Sequence, residues 1–200
     1  MNHQQKFLTI VGFLLLGGSI TFAQTVPGTG SASAQSAASS SAQMSSNDRA
    51  FLEKAAEGGM AEVEFGKLAE RNAQSQEVKD FGKLMVDDHS KANDALNQIA
   101  SQAGATLPTG LSTSDNTTKE HLSKMQGDAF DKAYMRHMVA DHQQDVSEFK
   151  QETTAGKDPQ LKDWAAKTLP TLQQHLQLAE RVDAKVKGPE PKPAPAAPKP

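Results

Sequence analysis

The stretch FGKLMVDDHSKAN at residues 81–93 has a close counterpart in YMRHMVADHQQDV at residues 134–146. Each carries an aromatic residue, then Met-Val, then an Asp-His pair at the same offsets. Apolar residues recur in both at spacings of three and four, which predicts amphipathic helices rather than strands. Because the Asp-His pairs fall on or beside the apolar face, each helix is predicted to bring one member of its pair to the core, Asp88 or His89 in one and Asp141 or His142 in the other.

The rest of the chain between residues 47 and 187 has the same helical periodicity, and the alternation typical of strands is nearly absent. We therefore predict an all-α fold with four long helices. Gly104 and Gly156 lie where left-handed C-caps are expected, and Pro170 predicts a bend just before His175. The predicted helices run from an Asn47 or Asp48 cap to about Asn72, from Ser75 to about Gly104, from Asp128 to about Gly156, and from Asp158-Pro159 to Lys187.

The lengths of the connections predict the topology. Two to five residues join helices one and two, and helices three and four, which makes each pair an antiparallel hairpin. A long crossover separates the two hairpins, and its segment TTKEHLSKM, residues 117–125, is predicted to form a short helix. Leu122 and Met125 would cover one end of the bundle.

Two internal similarities describe different duplications. The stretch at 81–93 equates helix two with helix three, whereas SQEVKDF at 75–81 matches DPQLKDW at 158–164 and equates helix two with helix four. Both cannot reflect ancestry. The step from residue 75 to residue 158, called here the hairpin offset, preserves the order of the hairpins. We therefore favour duplication of a helical hairpin.

The two ends of the chain have compositions that exclude a packed core. Residues 1–23 are predicted to be a signal peptide, with Lys6, an apolar run at 7–20 and a cleavage site near Ala23; an uncut membrane anchor is the alternative. Residues 24–46 form a Ser/Ala/Gly stretch predicted to be a disordered linker. Residues 188–200 form a Pro/Ala/Lys tail predicted to be disordered, and it could bind an envelope protein or a cell-wall partner. The bundle occupies residues 47–187.

Composition excludes several classes of function. The chain has no cysteine, which excludes disulfides, thiolate metal sites and a cysteine nucleophile. Its net charge of −3 gives no basic surface for nucleic acid. Nucleophile elbows, P-loops and dinucleotide fingerprints are absent from the sequence, so no catalytic residue and no organic cofactor is predicted.

Four ordered motifs resemble the DUF4142 family over about residues 48–184. They are GGMAEVEFGKLA, VKDFGKLMVDDHSKAN, FDKAYMRHMVADH and LPTLQQHLQLA, at residues 58–69, 78–93, 130–142 and 169–179. This resemblance implies a ferritin-like antiparallel four-helix bundle that is exported to the periplasm or cell envelope. It implies no activity, because the family has none assigned.

The candidate site consists of polar residues on or beside the predicted core faces, at positions within the motifs that carry the resemblance. Burial of an unpaired carboxylate or imidazole costs several kcal/mol, so these groups are expected to pair or to bind a cation. The predicted metal ligands are Glu62, His89, His142 and His175. Their predicted supporting residues are Asp88, Asp141, His137 and Tyr134, of which His137 and Asp141 form an i, i+4 chelating pair.

Three interpretations of this cluster stay open at the level of sequence. The Glu-x-x-His motif of di-iron bundles is absent, so one ion of Fe, Mn, Zn or Cu is favoured over a di-iron centre. A hydrogen-bonded network without any ion fits the same residues, with the histidines bonding to Glu62 or Tyr134. Redox chemistry is the third. The favoured function is a non-enzymatic structural, interaction or stress-related protein, with metal binding or redox chemistry as the alternative.

Overall fold

The computed structural model describes residues 44–188, and these residues form five helices and no strand. The predicted all-α fold is confirmed. The helices are α1 Ser46–Asn72, α2 Gln76–Gln102, α3 Thr113–Ser123, α4 Gly127–Ala155 and α5 Pro159–Lys187. The most extensive packing is between α1 and α2 and between α4 and α5, each pair joined by three residues. Further contacts of α2 with α5 and of α1 with α4 join the two pairs.

The first helix begins earlier than the sequence predicts. Its N-cap is Ser45, whose Oγ accepts a hydrogen bond from the backbone N–H of Asp48 at 3.1 Å. Asn47 and Asp48 are therefore inside the helix, and the boundary of the predicted linker moves from residue 46 to residue 45. The cap of α5 is as predicted, because Asp158 accepts from the N–H groups of Gln160 and Leu161, both at 2.9 Å.

Each three-residue loop is held by an aspartate of the other helix pair. Asp48 of α1 accepts from the backbone N–H groups of Lys157 and Asp158 at 3.0 and 2.8 Å. Asp131 of α4 accepts from those of Gln74 and Ser75 at 3.0 and 2.8 Å. The hairpin offset relates the two accepting aspartates to each other, and it relates the two donating residues of one loop to those of the other.

One glycine differs from its predicted role. Gly104 has φ of 64°, as a left-handed C-cap requires, but Gly156 has φ of −55° and ψ of 144°. The hydrogen bonds that Lys157 and Asp158 donate to Asp48 hold the residues after Gly156 in an extended connection. Glycine is needed there for space, since an added Cβ would lie 2.6 Å from the carbonyl oxygen of Glu152.

The crossover helix α3 is longer than predicted. It begins at Thr113, where Ser112 caps it by accepting from the N–H of Asp115 at 3.1 Å. Leu122 is buried and Met125 packs against the same apolar cluster. Leu122 and Met125 therefore cover part of the core, as predicted, and α3 lies against α1 and α4.

The core contains two apolar clusters with a polar layer between them. On each long helix, one buried polar residue lies between a member of one cluster and a member of the other. In α2, for example, His89 lies between Met85 and Leu96. The four residues placed in this way are Glu62, His89, His142 and His175.

Two glycines allow α1 and α2 to approach closely beside this layer. A Cβ added at Gly66 would lie 2.5 Å from the carbonyl oxygen of Gly82, and one added at Gly82 would lie 2.8 Å from that of Gly66.

The α5 helix is continuous from Pro159 to Lys187 and contains Pro170 in its interior.

The predicted signal peptide, most of the linker and the tail after residue 188 lie outside the described residues. Met44, the first described residue, is buried in one of the apolar clusters. Among residues 44–188, no helix combines the length and apolar character needed to cross a membrane.

Candidate metal centre

The structure brings together the four residues predicted as ligands, one from each long helix. All are buried: the exposed fractions are 1% for Glu62, 5% for His89, 0% for His142 and 2% for His175. In α2 the sequence left Asp88 or His89 open, and the structure points His89 into the core.

Glu62 lies between two of the histidines. Its Oε2 is 2.7 Å from Nδ1 of His89, within hydrogen-bond distance. Its Oε1 is 3.3 Å from Nε2 of His142, but that pair is not aligned for a hydrogen bond, so both atoms lack a partner. Glu62 therefore satisfies one nitrogen of His89 and has an oxygen left over.

The other two histidines are oriented by oxygen acceptors outside the cluster. Nδ1 of His142 is 3.0 Å from the carbonyl oxygen of Met138, one turn earlier in α4. Nε2 of His175 is 3.2 Å from Oδ2 of Asp88. This carboxylate contact is the supporting role that the sequence predicts for Asp88, and such contacts fix the tautomer and direction of histidine ligands in metal sites.

Each histidine keeps one buried nitrogen with no hydrogen-bond partner. These atoms are Nε2 of His89, Nε2 of His142 and Nδ1 of His175. The ring centroids are 5.8, 5.4 and 5.5 Å apart, and each ring offers a nitrogen within 4.8 Å of those of the other two. Because a tetrahedral ion with bonds of about 2.0–2.1 Å holds nitrogens roughly 3.4 Å apart, small ring rotations suffice for coordination. The residues present fit a metal ion.

Burial keeps these imidazoles neutral. It lowers the pKa of His89 to about 4 against the opposing charges of Asp141 and Asp88, and that of His142 to about 3 with help from His89. Burial and the neighbouring His89 lower the pKa of His175 to about 4, although Asp88 opposes this shift. Neutral imidazole is the form that binds metals.

The carboxyl groups at the centre have shifted pKa values as well. Burial raises the pKa of Glu62 well above its usual range, and the charges of Asp141 and Asp115 raise it further. Burial also acts to raise the pKa of Asp88, but hydrogen bonds from His175 and Lys91 outweigh it and leave the pKa below its usual value. An approaching cation would displace the proton of Glu62.

Three other predicted or unpredicted groups lie outside the histidine cluster. His137 and Asp141, the predicted chelating pair, line a surface pocket beside α3. The three clustered histidines do not line this pocket. Asp145 was missed as a site residue, and together with Asp141, Glu62 and His142 it offers ligand atoms within 4.8 Å of one another. Its signal in the sequence was its spacing, four residues after Asp141 and three after His142.

Tyr134 does not support the histidines in the way the sequence suggested. Its ring is fully buried, stacks on Phe130 at 5.5 Å, and meets Phe81 edge to face at 6.1 Å. Among the described residues its hydroxyl has no hydrogen-bond partner. Burial and the nearby Glu62 raise its pKa well above the usual value.

Solved structures with the same fold come from helical proteins of low sequence identity. A DUF305 fragment from Deinococcus radiodurans matches with a TM-score of 0.62 and 12% identity, covering 70% of this chain and 96% of that one. A DUF305 protein from Streptomyces coelicolor, described as a predicted secreted protein, gives 0.62 and 12%, covering 73% and 97%. CopM in its Cu(II)-bound form gives 0.58 and 15%, covering 68% and 95%.

Sequence comparison identifies the family. No curated protein matches the chain. Residues 33–182, three quarters of the sequence, match the family described as Domain of unknown function (DUF4142), which confirms the predicted resemblance. The chain belongs to the DUF4142 family.

Proposed function

We propose that this protein is an exported, non-enzymatic bundle that binds one transition-metal ion through His89, His142 and His175, with Glu62 as an oxygen ligand. The observation that carries the proposal is that each of three adjacent buried imidazoles has a nitrogen without a partner, while the three rings offer nitrogens within 4.8 Å of one another. Each unsatisfied buried acceptor costs about 1–3 kcal/mol, so the arrangement is expensive without an occupant.

The hydrogen-bond partners of the three rings assign their protons. When Glu62 is ionised, as a metal ligand must be, oxygen acceptors lie next to Nδ1 of His89, Nδ1 of His142 and Nε2 of His175, so in the neutral rings these nitrogens carry the hydrogens. Each of the three remaining nitrogens then carries a lone pair, on rings whose centroids lie 5.4–5.8 Å apart. Lone pairs need donors or a cation, and several approaching one another favour a cation.

A hydrogen-bonded network without an ion accounts for less of the geometry. Protonated Glu62 could donate only one hydrogen, either to Nδ1 of His89 at 2.7 Å or towards Nε2 of His142 at 3.3 Å. In either case at least two of the three buried nitrogens without partners would stay unpaired among the described residues. A single ion bound by the three nitrogens and Oε1 of Glu62 would satisfy all four atoms.

The donor set favours particular ions. Three neutral imidazoles and one carboxylate suit Cu(II), Zn(II) and Fe(II), while Mn(II) prefers sites richer in oxygen. Divalent copper binds such ligands most tightly, according to the Irving–Williams order. Of the four predicted ions we therefore propose copper first and zinc second. Copper-bound CopM has a similar fold, which supports the choice without establishing it.

Export and tethering complete the proposal. The N-terminal segment 1–23 has the composition of a signal peptide, and a similar structure belongs to a protein described as predicted to be secreted. The Pro-rich tail would leave the bundle attached to an envelope or cell-wall partner. Ion binding without turnover suits a protein that sequesters or buffers metal outside the cytoplasm.

Metal analysis of tag-free protein tests the proposal. After exposure to Cu(II), Zn(II), Fe(II) and Mn(II) in turn and removal of free metal, elemental analysis should give about one copper or zinc per chain. His89→Gln and His142→Gln should remove it. His121→Gln is the matched control, because His121 is exposed on α3. Metal-free wild-type protein after all four exposures would refute the proposal, and so would equal loading of His142→Gln.

A further inference from the structure

A surface pocket leads towards the histidine cluster. It has a volume of about 360 Å³ and lies between α1, α3 and α4. Four carboxylates and one cation line it: Glu57, Asp115, Asp141, Asp145 and Lys54. Lys54 forms an ion pair with Glu148, which reduces its opposition to a second cation. The pocket should therefore attract divalent cations from solvent.

A much smaller cavity shares part of its lining with this pocket. Its volume of about 20 Å³ is enough for one water-sized group, and Glu62 and His89 line it. Asp145 and Gly58 line both the outer pocket and the inner cavity. An ion that passes Asp145 would thus reach Glu62 and His89 directly.

The groups along this route are spaced for coordination. Glu62, Asp141, His142 and Asp145 each offer a ligand atom, all within 4.8 Å of one another. Independently, Oε1 of Glu62 and Nε2 of His142 have no hydrogen-bond partner, and both side chains are at most 2% exposed. These two atoms belong equally to the histidine cluster, so the acidic group shares an edge with the proposed metal site.

We propose that Asp141 and Asp145 form a loading site that takes a divalent cation from the surface pocket and passes it by way of Glu62 to the three histidines. This inference rests on the proposed function. The cation would exchange water for the carboxylates of Asp141 and Asp145 at the floor of the pocket. It would then exchange those oxygens for imidazole nitrogens, which bind copper and zinc more strongly.

The internal repeat accounts for the position of one carboxylate of the loading site. Glu62 and Asp145 are related by the hairpin offset, as are Asp48 and Asp131. The two hairpins therefore place one carboxylate each at corresponding positions. Glu62 is buried between histidines, while Asp145 reaches both the cavity and the surface pocket.

Trp164 provides a built-in reporter for the test. It is the single tryptophan of the chain and lines the inner cavity, so bound Cu(II) should quench its fluorescence. Stopped-flow mixing of tag-free apo protein with Cu(II) at low ionic strength measures the loading rate. Asp141→Asn and Asp145→Asn should slow loading by roughly tenfold, within the range of electrostatic steering. The occupancy set by the imidazoles should still be reached, but later.

Two further variants separate loading from general effects of charge. Glu53→Gln removes one negative charge from the exposed face of α1, outside the pocket, and should load at the wild-type rate. Gly58→Leu keeps every carboxylate and places a side chain where Gly58 lines both the pocket and the cavity, which narrows the route between them. An added Cβ at Gly58 meets no atom within 4 Å, so the substitution should not disturb the fold. It should also slow loading.

The outcomes distinguish this inference from the proposed function. Wild-type protein that takes up no metal sinks the proposed function, and the inference falls with it. Normal uptake with unchanged rates in Asp145→Asn and Gly58→Leu overturns the loading site alone. Loss of final occupancy in Asp145→Asn would make Asp145 a permanent ligand, which also overturns it. Thermal unfolding of each variant confirms that it is folded.

Discussion

Asp48 and Asp131 occupy equivalent positions in the two hairpins, and each accepts two backbone hydrogen bonds from the loop of the other hairpin. Their donors, at positions 157 and 158 and at positions 74 and 75, are related by the same hairpin offset. Each hairpin is thus fastened to the other by the same contact, which is the relationship expected from a duplicated hairpin. Both aspartates are buried, so each contact also gives hydrogen-bond donors to a carboxylate that would otherwise be costly to bury.

Removing either contact should destabilise the bundle. Asp131→Ala leaves the N–H groups of Gln74 and Ser75 without acceptors, and we expect a loss of about 1–3 kcal/mol in the free energy of unfolding. Asp48→Ala should cost a similar amount. Urea denaturation gives both values. The double variant should show the sum of the two losses if the contacts are independent, whereas strong non-additivity would contradict that expectation.

Two glycines of α1 should respond to alanine with opposite signs. Gly58→Ala places a Cβ where no atom lies within 4 Å, so the gain in helix propensity should stabilise the protein by about 0.5–1 kcal/mol. Gly66→Ala directs a Cβ to within 2.5 Å of the Gly82 carbonyl oxygen, and the resulting separation of α1 and α2 should cost about 1–3 kcal/mol. Equal effects in urea denaturation would mean that the helix contact is not tight.

The sequence predicted the helices and the four inward polar residues because both follow from local periodicity. Each long helix carries a row of apolar residues at helical spacing, and Glu62, His89, His142 and His175 interrupt those rows. Periodicity specifies a face of a helix but not a ring orientation. The free nitrogen of His175 depends on Asp88 bonding to the other one, a contact across 87 positions of sequence.

Contacts between distant segments also account for the errors in prediction. Gly156 was expected to be left-handed from its position after a helix, but the hydrogen bonds that its loop donates to Asp48 hold the loop extended. Asp145 was missed because its importance depends on a pocket built jointly by α1, α3 and α4. The spacing of Asp145 from Asp141 and His142 indicates a shared helix face, but neither the loop contact nor the pocket can be inferred from spacing within one helix.

Metal binding at neutral pH should release a proton from Glu62. The three histidines release none, because their pKa values of about 3–4 leave them neutral in the apo protein. Glu62 keeps a proton to higher pH because burial raises its pKa. Calorimetric titration with Zn(II) in buffers of different ionisation enthalpy counts the protons released. Glu62→Gln should reduce the count, and an unchanged count would assign the proton to another group.

The apo protein should lose stability as the pH falls below the ordinary pKa of histidine. Unfolded histidines take up protons near pH 6.5, while the folded ones resist until about pH 4 or lower. Each therefore contributes stability that is present above pH 6.5 and is lost on the way down, by up to about 1.4 kcal/mol per pH unit. Glu62 has a raised pKa and acts in the opposite direction, so the comparison requires a variant.

His142→Gln isolates the contribution of one histidine to this loss. The unfolding free energy of the wild type minus that of His142→Gln should decrease as the pH is lowered from 6.5 to 4. Only the wild type carries an imidazole at position 142 that resists protonation in the folded state. Urea denaturation at several pH values in the presence of a chelator measures it. A difference that stays constant across this window would show that His142 is not held neutral by the fold.

His175→Leu separates packing from ligation most directly. Its partner Asp88 is partly exposed and also contacts Lys91, so removal of the imidazole leaves no buried charge unpaired. The apo variant should be as stable as the wild type or more so, because an apolar side chain replaces a nitrogen that lacks a partner. The wild type should gain about 2.7 kcal/mol at a metal concentration 100 times Kd, and the variant almost none. Thermal unfolding with and without Cu(II) measures both quantities. A variant that is destabilised without metal and still gains stability with it would make His175 a packing residue and leave the ion to other ligands.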